Sequence, residues 1–186
     1  MATVDLGLIT AAEYFLLPDP GCPTELERGV VIMTSNPGAR HGLLCARIAR
    51  WIGNFAETHQ VGRTVTNDSG VVTEREPDTV RGPDVAYYSY LRIPQDQEMP
   101  DGYPEVAPEL AFEVMSPNDK WKKVLAKVAE FLQAGVTAIC VIDPASRRVS
   151  IYTGENSPRV LSDTDELTVP EVLPGFSESV AKLFAP

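Results

Sequence analysis

Cysteine, histidine and basic residues are all scarce in this sequence. Its three cysteines, Cys22, Cys45 and Cys140, are odd in number and far apart, with no CxxC spacing. That supports neither a zinc ribbon nor a disulfide framework, and fits a reduced, cytoplasmic setting. Its two histidines, His41 and His59, have no close ligand partner along the chain, so a zinc enzyme is not expected. No apolar run reaches the roughly 18 residues of a membrane span, which excludes a helical membrane protein. The stretch from Met1 to Thr10 lacks a basic start and carries Asp5, so it does not read as a signal peptide. Internal repeats and low-complexity segments are missing too. Lys and Arg number 16 against 26 Asp and Glu, a net charge of −10. Such a balance favours solubility and weighs against non-specific coating of nucleic acid, which rests on many cationic contacts to phosphate. A small basic groove remains compatible with it.

What is present is an ordinary globular composition. Of the 186 residues, 44% are apolar and 23% charged, which suits one folded domain rather than disorder. A chain of this length buries roughly 70% of the surface it exposes unfolded, so no covalent staple is needed. The whole chain, 1–186, is expected to form that single domain, with its core from about 10 to 184.

Local patterns predict the elements. Thr10 with Glu13 has capping-box spacing, predicting a short helix over Ala11 to Leu16. After the breakers Pro18, Pro20, Gly21 and Pro23, a hairpin is expected: Thr24 to Glu27, a turn at Arg28-Gly29, then Val30 to Met33. Asn36-Pro37 predicts the start of a helix running to about Thr58, with Leu44, Ile48, Trp51, Ile52 and Phe55 on its apolar face. Strand-like runs follow at Arg63 to Thr66, Gly70 to Thr73 and Val85 to Tyr88. From Leu91 to Glu109 a proline-rich, acidic loop is expected to be mobile and solvated. Leu110 to Met115 reads as a strand. Ser116-Pro117-Asn118-Asp119 opens a helix whose apolar stripe is Trp121, Val124, Leu125, Val128, Phe131 and Leu132, ended by Gly135. Thr137 to Ile142 and Val149 to Tyr152 read as antiparallel strands, and short strands and a helical turn complete the chain. The strand–helix–strand piece implies a parallel pair joined by a crossover. The expected class is therefore α/β, or α+β by stricter count, with a mixed central sheet flanked by helices.

Three residues break these patterns in a chemically suggestive way. Glu113 interrupts the apolar run Leu110-Ala111-Phe112-Glu113-Val114-Met115, and a carboxylate there is costly to bury unless paired or metal-bound. Asp84 stands between Arg81-Gly82-Pro83 and the apolar Val85-Ala86-Tyr87-Tyr88, at a strand edge. Two such carboxylates on neighbouring strands make an oxygen-rich site suited to Mg²⁺ or Mn²⁺. Lys127 lies on the flank of its helix's apolar stripe, on the same side as Lys120 and Lys123. From there it can reach the carboxylates and stabilise a pentacovalent phosphate or orient a water. Each has a structural alternative: a solvated sheet face or an arginine partner for Glu113, a turn for Asp84, a solvated basic face for Lys127. Arg40 to Arg63 holds four arginines against Glu57, and Ser116 to Glu130 four lysines against Asp119 and Glu130. Two basic helices in an acidic protein are compatible with a phosphate groove. His41, near a helix N-terminus, is expected to have a lowered pKa, and either contacts substrate phosphate, acts as a base, or makes a local hydrogen bond. His59 reads as surface.

Several fragments in order resemble the Uma-type restriction endonuclease family, a branch of the PD-(D/E)xK nuclease superfamily. They are Glu25-Leu26-Glu27-Arg28-Gly29, Arg40-His41-Gly42, Arg81-Gly82-Pro83-Asp84-Val85, Glu113-Val114-Met115-Ser116-Pro117-Asn118-Asp119, Lys127 with Gly135-Val136, and Val141-Ile142-Asp143-Pro144. The resemblance covers about Thr10 to Phe184. It implies a restriction-endonuclease-like fold, Asp84 and Glu113 as ligands of Mg²⁺ or Mn²⁺, and the Val114 carbonyl as a further ligand. It also implies Glu25 near the site, and Arg40 and His41 as candidate substrate contacts. The superfamily lysine two residues after the acid is missing, since Met115 stands there; Lys127 fills the displaced position. Phe131 and Cys140 stand where the family usually has Tyr and often has Trp.

The function expected from all this is metal-dependent hydrolysis of DNA phosphodiester bonds, by a homodimer if the superfamily analogy carries over. Two rivals are a catalytically silent nuclease-fold binding module, which the acidic surface favours, and a hydrolase of a small phosphodiester.

Overall fold

The computed structural model describes residues 7–154 and 157–186. Residues 1–6, on which the N-terminal expectation partly rests, lie outside the described residues. The elements are, in order, α1 (Ala11–Phe15), β1 (Thr24–Glu27), β2 (Val30–Met33), α2 (Ala39–His59), β3 (Gly62–Thr66), β4 (Val71–Glu74), β5 (Thr79–Arg81), β6 (Val85–Ser89), β7 (Leu110–Val114), α3 (Trp121–Gln133), β8 (Ala138–Asp143), β9 (Arg148–Tyr152), β10 (Arg159–Leu161), β11 (Glu166–Leu167), β12 (Glu178–Ser179) and α4 (Val180–Leu183).

The predicted mixed sheet is present. Six strands run in the order β10-β9-β8-β7-β6-β3. Among the described residues only β7 and β8 pair parallel, with α3 as the connection between them; β6 pairs antiparallel with both β3 and β7. Strand alternation assigns the faces. Phe112 and Val114 of β7 pack with Leu44, Ile48, Ile52 and Ala56 of α2, whereas Ala111 packs with Val124, Val128 and Phe131 of α3. Glu113 therefore falls on the α3 side. Each of the large apolar side chains buried here, such as Ile48, Ile52, Phe112 and Phe131, stabilises the fold by about 1.5–3 kcal/mol relative to exposure. A second, antiparallel sheet has the order β2-β1-β5-β4, and β11 and β12 form a short ribbon. The three-residue link Gly82-Pro83-Asp84 carries the chain from the second sheet into the first.

Several expectations need correction. The long helix starts at Ala39 with Gly38 as its cap, not at Asn36-Pro37; proline's fixed φ suits extended chain as well as a helix start. β5 was not expected. All three of its residues are buried, so it shows no alternation to detect. Trp121 and Leu125 are 41% and 43% exposed, so the α3 stripe narrows to Val124, Val128 and Phe131. That helix opens at Trp121 after Lys120, which makes no side-chain cap. The Leu91 to Glu109 loop is largely exposed but fastened: Arg63 donates to the Gln95 and Gln97 carbonyls at 2.6 and 2.7 Å, Arg92 binds the carbonyls of Ala107, Pro108 and Gly135, and Ile93 is buried. Among the described residues no helix is long and apolar enough to cross a membrane.

The capping box of α1 forms as expected, Thr10 and Glu13 each accepting from the other's backbone N–H. Buried Asp78 extends it by accepting from the Ala11 N–H at 2.7 Å. Burial alone would raise the Asp78 pKa, but hydrogen bonds from Ala11, Glu76 and Arg75 outweigh it and the pKa is lowered. A carboxylate with a lowered folded pKa adds stability above its unfolded value of about 3.9, which is lost as pH falls through the folded value. Asp78→Asn is expected to cost about 1–3 kcal/mol at neutral pH and to lose less stability than the wild type on acidification below about pH 5. Urea unfolding at a series of pH values checks this; parallel acid limbs in the two proteins would contradict it.

Candidate active site

The junction between the two sheets holds the cluster. Its geometry starts at Gly82, where a Cβ would lie 2.6 Å from the Asp68 carbonyl oxygen and 2.7 Å from its Cβ. Only glycine lets the link pass beneath that turn, in which Asn67 and Asp68 both have positive φ. Asp84 follows at the mouth of β6. Since Val85 pairs with Phe112, continuing the register sets Asp84 opposite Glu113. Asp84 Oδ2 accepts the Val114 N–H at 2.6 Å, and Oδ1 lies 3.2 Å from His41 Nε2.

Glu113 is anomalous in the way its sequence context suggested. Its Oε1 is shut off from solvent and has no hydrogen-bond partner among the described residues. Burial first, and then the charges of Asp84, Glu25 and Asp68, push its carboxyl up to about 8, against the opposing pull of Lys127. Lys127 Nζ donates to Glu25 Oε1 at 2.7 Å. Burial lowers the lysine's pKa, but Glu113 and Glu25 more than offset this, so it stays a cation.

The fold thus gathers Asp84, Glu113 and Lys127, singled out in the sequence, with Glu25, which the resemblance implied. Val114 enters the cluster through its N–H. His41 joins it as well, with the opposite electrostatics to those expected. Hydrogen bonds to Asp84 and Cys45 raise its pKa to about 10, despite partial burial, and outweigh any effect of the helix end. It also has close partners: Asp84, which the chain order conceals, and, one turn along the same helix, Cys45, whose Sγ is 3.3 Å from its Nδ1. Arg40 points away, donating to the Pro144 carbonyl at 2.8 Å. Arg47 and Arg63 are likewise committed to backbone carbonyls, so the long helix and its exit give less of a basic groove than their charge sum promised. Lys120, Lys122 and Lys123 remain exposed. His59 is at the surface, stacked on Phe55. Phe131 and Cys140 are both fully buried packing residues.

Four participants were not anticipated. Arg81, 5% exposed, binds Glu25 at 3.0 Å, Glu27 at 3.4 Å, and Glu130 through two bonds of 2.6 and 3.0 Å. Its guanidinium is held charged by Glu130 and Glu25 against the cost of burial. Nothing marks it in the sequence except its place before Gly82-Pro83-Asp84. Glu130 lies one turn beyond Lys127 on α3. Cys45 is at i+4 from His41 on α2, the one spacing that signals contact. Asp68 is exposed overall, yet its carboxyl is desolvated enough on the protein side to raise its pKa, with Asp84 adding to the rise.

Four carboxylates, Glu25, Asp68, Asp84 and Glu113, therefore share this place with the cations Lys127, Arg81 and His41, and Glu113 carries an oxygen with no hydrogen-bond partner among the described residues. Carboxylate oxygens and backbone carbonyls are the donors that Mg²⁺ and Mn²⁺ take. A divalent cation at this place would satisfy Glu113 and offset the mutual repulsion of the acids, so the residues present fit such an ion.

Comparison with known proteins bears on the family and the fold. The profile of a family described as "Uma2: Putative restriction endonuclease" matches residues 11–181. No curated protein matches the chain. Among solved structures, the fold is similar to the crystal structure of a putative nuclease belonging to DUF820 from Anabaena variabilis, with a TM-score of 0.82. The match covers 95% of this chain and 97% of that one at 22% identity, a level that speaks for the fold.

Proposed function

Because this chain belongs to the Uma2 family, described as putative restriction endonucleases, we propose that it is a divalent-metal-dependent endonuclease that hydrolyses DNA phosphodiester bonds. One observation carries the reading: the buried, unpartnered Glu113 Oε1 set opposite Asp84. Asp84, Glu113 and the Val114 carbonyl would hold Mg²⁺ or Mn²⁺. When bound, the ion would lower the pKa of a water and polarise the scissile phosphate.

The chain's own residues have separable tasks. The Val114 N–H fixes the Asp84 carboxylate by occupying Oδ2. Lys127 presents a positive charge where negative charge develops on the phosphate, in a partly water-excluded cluster where it acts most strongly. Glu25 holds that ammonium in place at 2.7 Å and is itself held by Arg81, which binds its second oxygen. Through the remaining lone pairs of its oxygens, Glu25 would bind a second ion or a bridging water. His41, charged at neutral pH, faces the cluster as a contact for substrate phosphate. A homodimer would let two such sites cut opposite strands, an expectation that equilibrium sedimentation checks. A cytoplasmic location fits the free thiols.

Incubation of supercoiled plasmid with the purified protein tests the reading. Nicked and linear DNA should appear with Mg²⁺ or Mn²⁺, vanish with chelator, and be lost in Asp84→Ala. Cleavage that persists in Asp84→Ala sinks the proposal. Tight Mn²⁺ binding without cleavage of any nucleic acid would instead support the silent binding module. Hydrolysis of bis(p-nitrophenyl) phosphate but not of DNA would support a small phosphodiester as substrate.

A further inference from the structure

We propose that His41, Cys45 and Asp84 form a site for a thiophilic divalent ion, with Zn²⁺ as its type, and that this ion competes with the hard cation for Asp84. The competitive part rests on the metal-dependent reading above; the site itself does not. The three side chains offer nitrogen, sulfur and oxygen donors that all lie within 4.8 Å of one another. His41 Nε2 is 3.2 Å from Asp84 Oδ1, and Nδ1 is 3.3 Å from Cys45 Sγ. With Zn–S near 2.3 Å and Zn–N or Zn–O near 2.0–2.1 Å, tetrahedral coordination sets neighbouring donor atoms roughly 3.3–3.6 Å apart. The two contacts run from opposite ring nitrogens, so one ion takes either Nε2 beside Asp84 or Nδ1 beside Cys45, and the remaining donor, within 4.8 Å, closes to tetrahedral spacing by side-chain rotation; one turn of α2 supplies two of the ligands at i and i+4.

The chemistry separates this site from the carboxylate cluster beside it. Glu25, Glu113 and Asp84 offer only oxygen, which suits Mg²⁺ and Mn²⁺, whereas a thiolate selects Zn²⁺ and its neighbours in the series. Cys45 brings a thiol to the cluster, and it is neither fully buried nor disulfide-bonded. On coordination it releases its proton to solvent, as does the imidazolium. His41 and Asp84 keep 13% and 11% of their side chains exposed, which leaves a route of entry. The Val114 N–H occupies Asp84 Oδ2, an outer contact of the kind that orients a ligating carboxylate. Oδ1 is then the oxygen available, and both kinds of ion need it. A thiophilic ion at His41 and Cys45 therefore withdraws Asp84 from the hard-cation site.

Titration of the metal-free protein with Co²⁺, a spectroscopic stand-in for Zn²⁺, tests the site. Thiolate-to-cobalt charge-transfer absorption and the intense visible bands of four-coordinate Co²⁺ are expected in the wild type and in Cys22→Ser, and are lost in Cys45→Ser. The affinity for Zn²⁺, read by competition with a chromophoric chelator, should fall at least about tenfold in Cys45→Ser, since losing a ligand costs no less than losing an outer contact. Circular dichroism shows whether that near-isosteric variant is folded, and His41→Ala should weaken Zn²⁺ binding independently. Charge-transfer bands that survive in Cys45→Ser, or equal Zn²⁺ affinity in wild type and variant, overturn the site. Mn²⁺ electron paramagnetic resonance tests the competition: one equivalent of Zn²⁺ should displace Mn²⁺ from the wild type but not from Cys45→Ser, and co-binding of both ions overturns it. If the wild type binds no Mn²⁺, the carboxylate site fails, while the Co²⁺ bands still decide the site proposed here.

Discussion

Glu113→Gln should stabilise the metal-free protein at pH 8 and at the same time remove its metal-dependent cleavage. Glu113 carries an ordinary carboxyl into a place where burial and three neighbouring acids push it up to about 8. For a group whose folded pKa lies above its unfolded value, the stability it contributes is complete below the unfolded value, about 4.3 for Glu, and is lost as pH rises through the folded value. The wild type is therefore expected to lose stability between about pH 4.3 and 8, and the glutamine variant to lose less over that range. Above the transition the gain should be about 1–3 kcal/mol, the scale of an unsatisfied buried polar group. Adding Mn²⁺ should reverse the order. An ion at 100 times its Kd stabilises the wild type by about 2.7 kcal/mol, and the variant, with a ligand removed, gains little. Cleavage should fall by at least about 10²–10³-fold, the effect of removing one preorganised electrostatic group. Thermal unfolding in chelator and in Mn²⁺, with plasmid nicking in parallel, measures all three. A glutamine variant less stable than wild type at pH 8 without metal would show that Glu113 is held by the fold for structural reasons.

Arg81→Ala should be the most destabilising single change in the cluster. The side chain is buried between Glu25, Glu27 and Glu130. Removing one partner of a buried ion pair costs about 3–5 kcal/mol, because the remaining charges lose their compensation. Arg81→Lys should recover only part of it, since an ammonium cannot reproduce the two-pronged contact with Glu130. The effect should also depend on context. In Arg81→Ala/Glu130→Ala the orphaned Glu130 is gone, so the double variant is expected to be more stable than the sum of the single losses implies. Urea unfolding of the four proteins gives the coupling directly. A loss under about 1 kcal/mol in Arg81→Ala would place the contact with ordinary surface pairs. Where the variant stays folded, freeing Glu25 should also loosen Lys127, lowering the cleavage rate more than it weakens Mn²⁺ binding.

Much of the architecture was legible because it is written in short-range patterns. Thr10 and Glu13 announce α1 at three residues' spacing, and the β1–β2 hairpin turns at Arg28-Gly29, where both residues have positive φ. The parallel β7–α3–β8 unit follows from two apolar runs around a helical stripe. Where patterns are short or covered on both sides they fail: β5 has three buried residues and no period, and Asn36-Pro37 offers a helix start that the chain does not take.

The same division holds for the site. By itself the sequence determined that Glu113 sits in an apolar strand, that Asp84 precedes another, and that Lys127 flanks a buried helical stripe. These are consequences of period and local composition, which any chain expresses over a few residues. Tertiary structure alone decided who meets whom. Arg81 reaches Glu130 across 49 residues, Lys127 reaches Glu25 across 102, and Arg40 turns aside to a carbonyl 104 residues away. It also reversed the expected electrostatics of His41, because a carboxylate and a thiol within hydrogen-bonding reach outweigh a helix end. The physical reason is common to all of these. Periodicity specifies which face of an element is buried, whereas charge, protonation and coordination depend on desolvation and on neighbours that only the closed fold supplies.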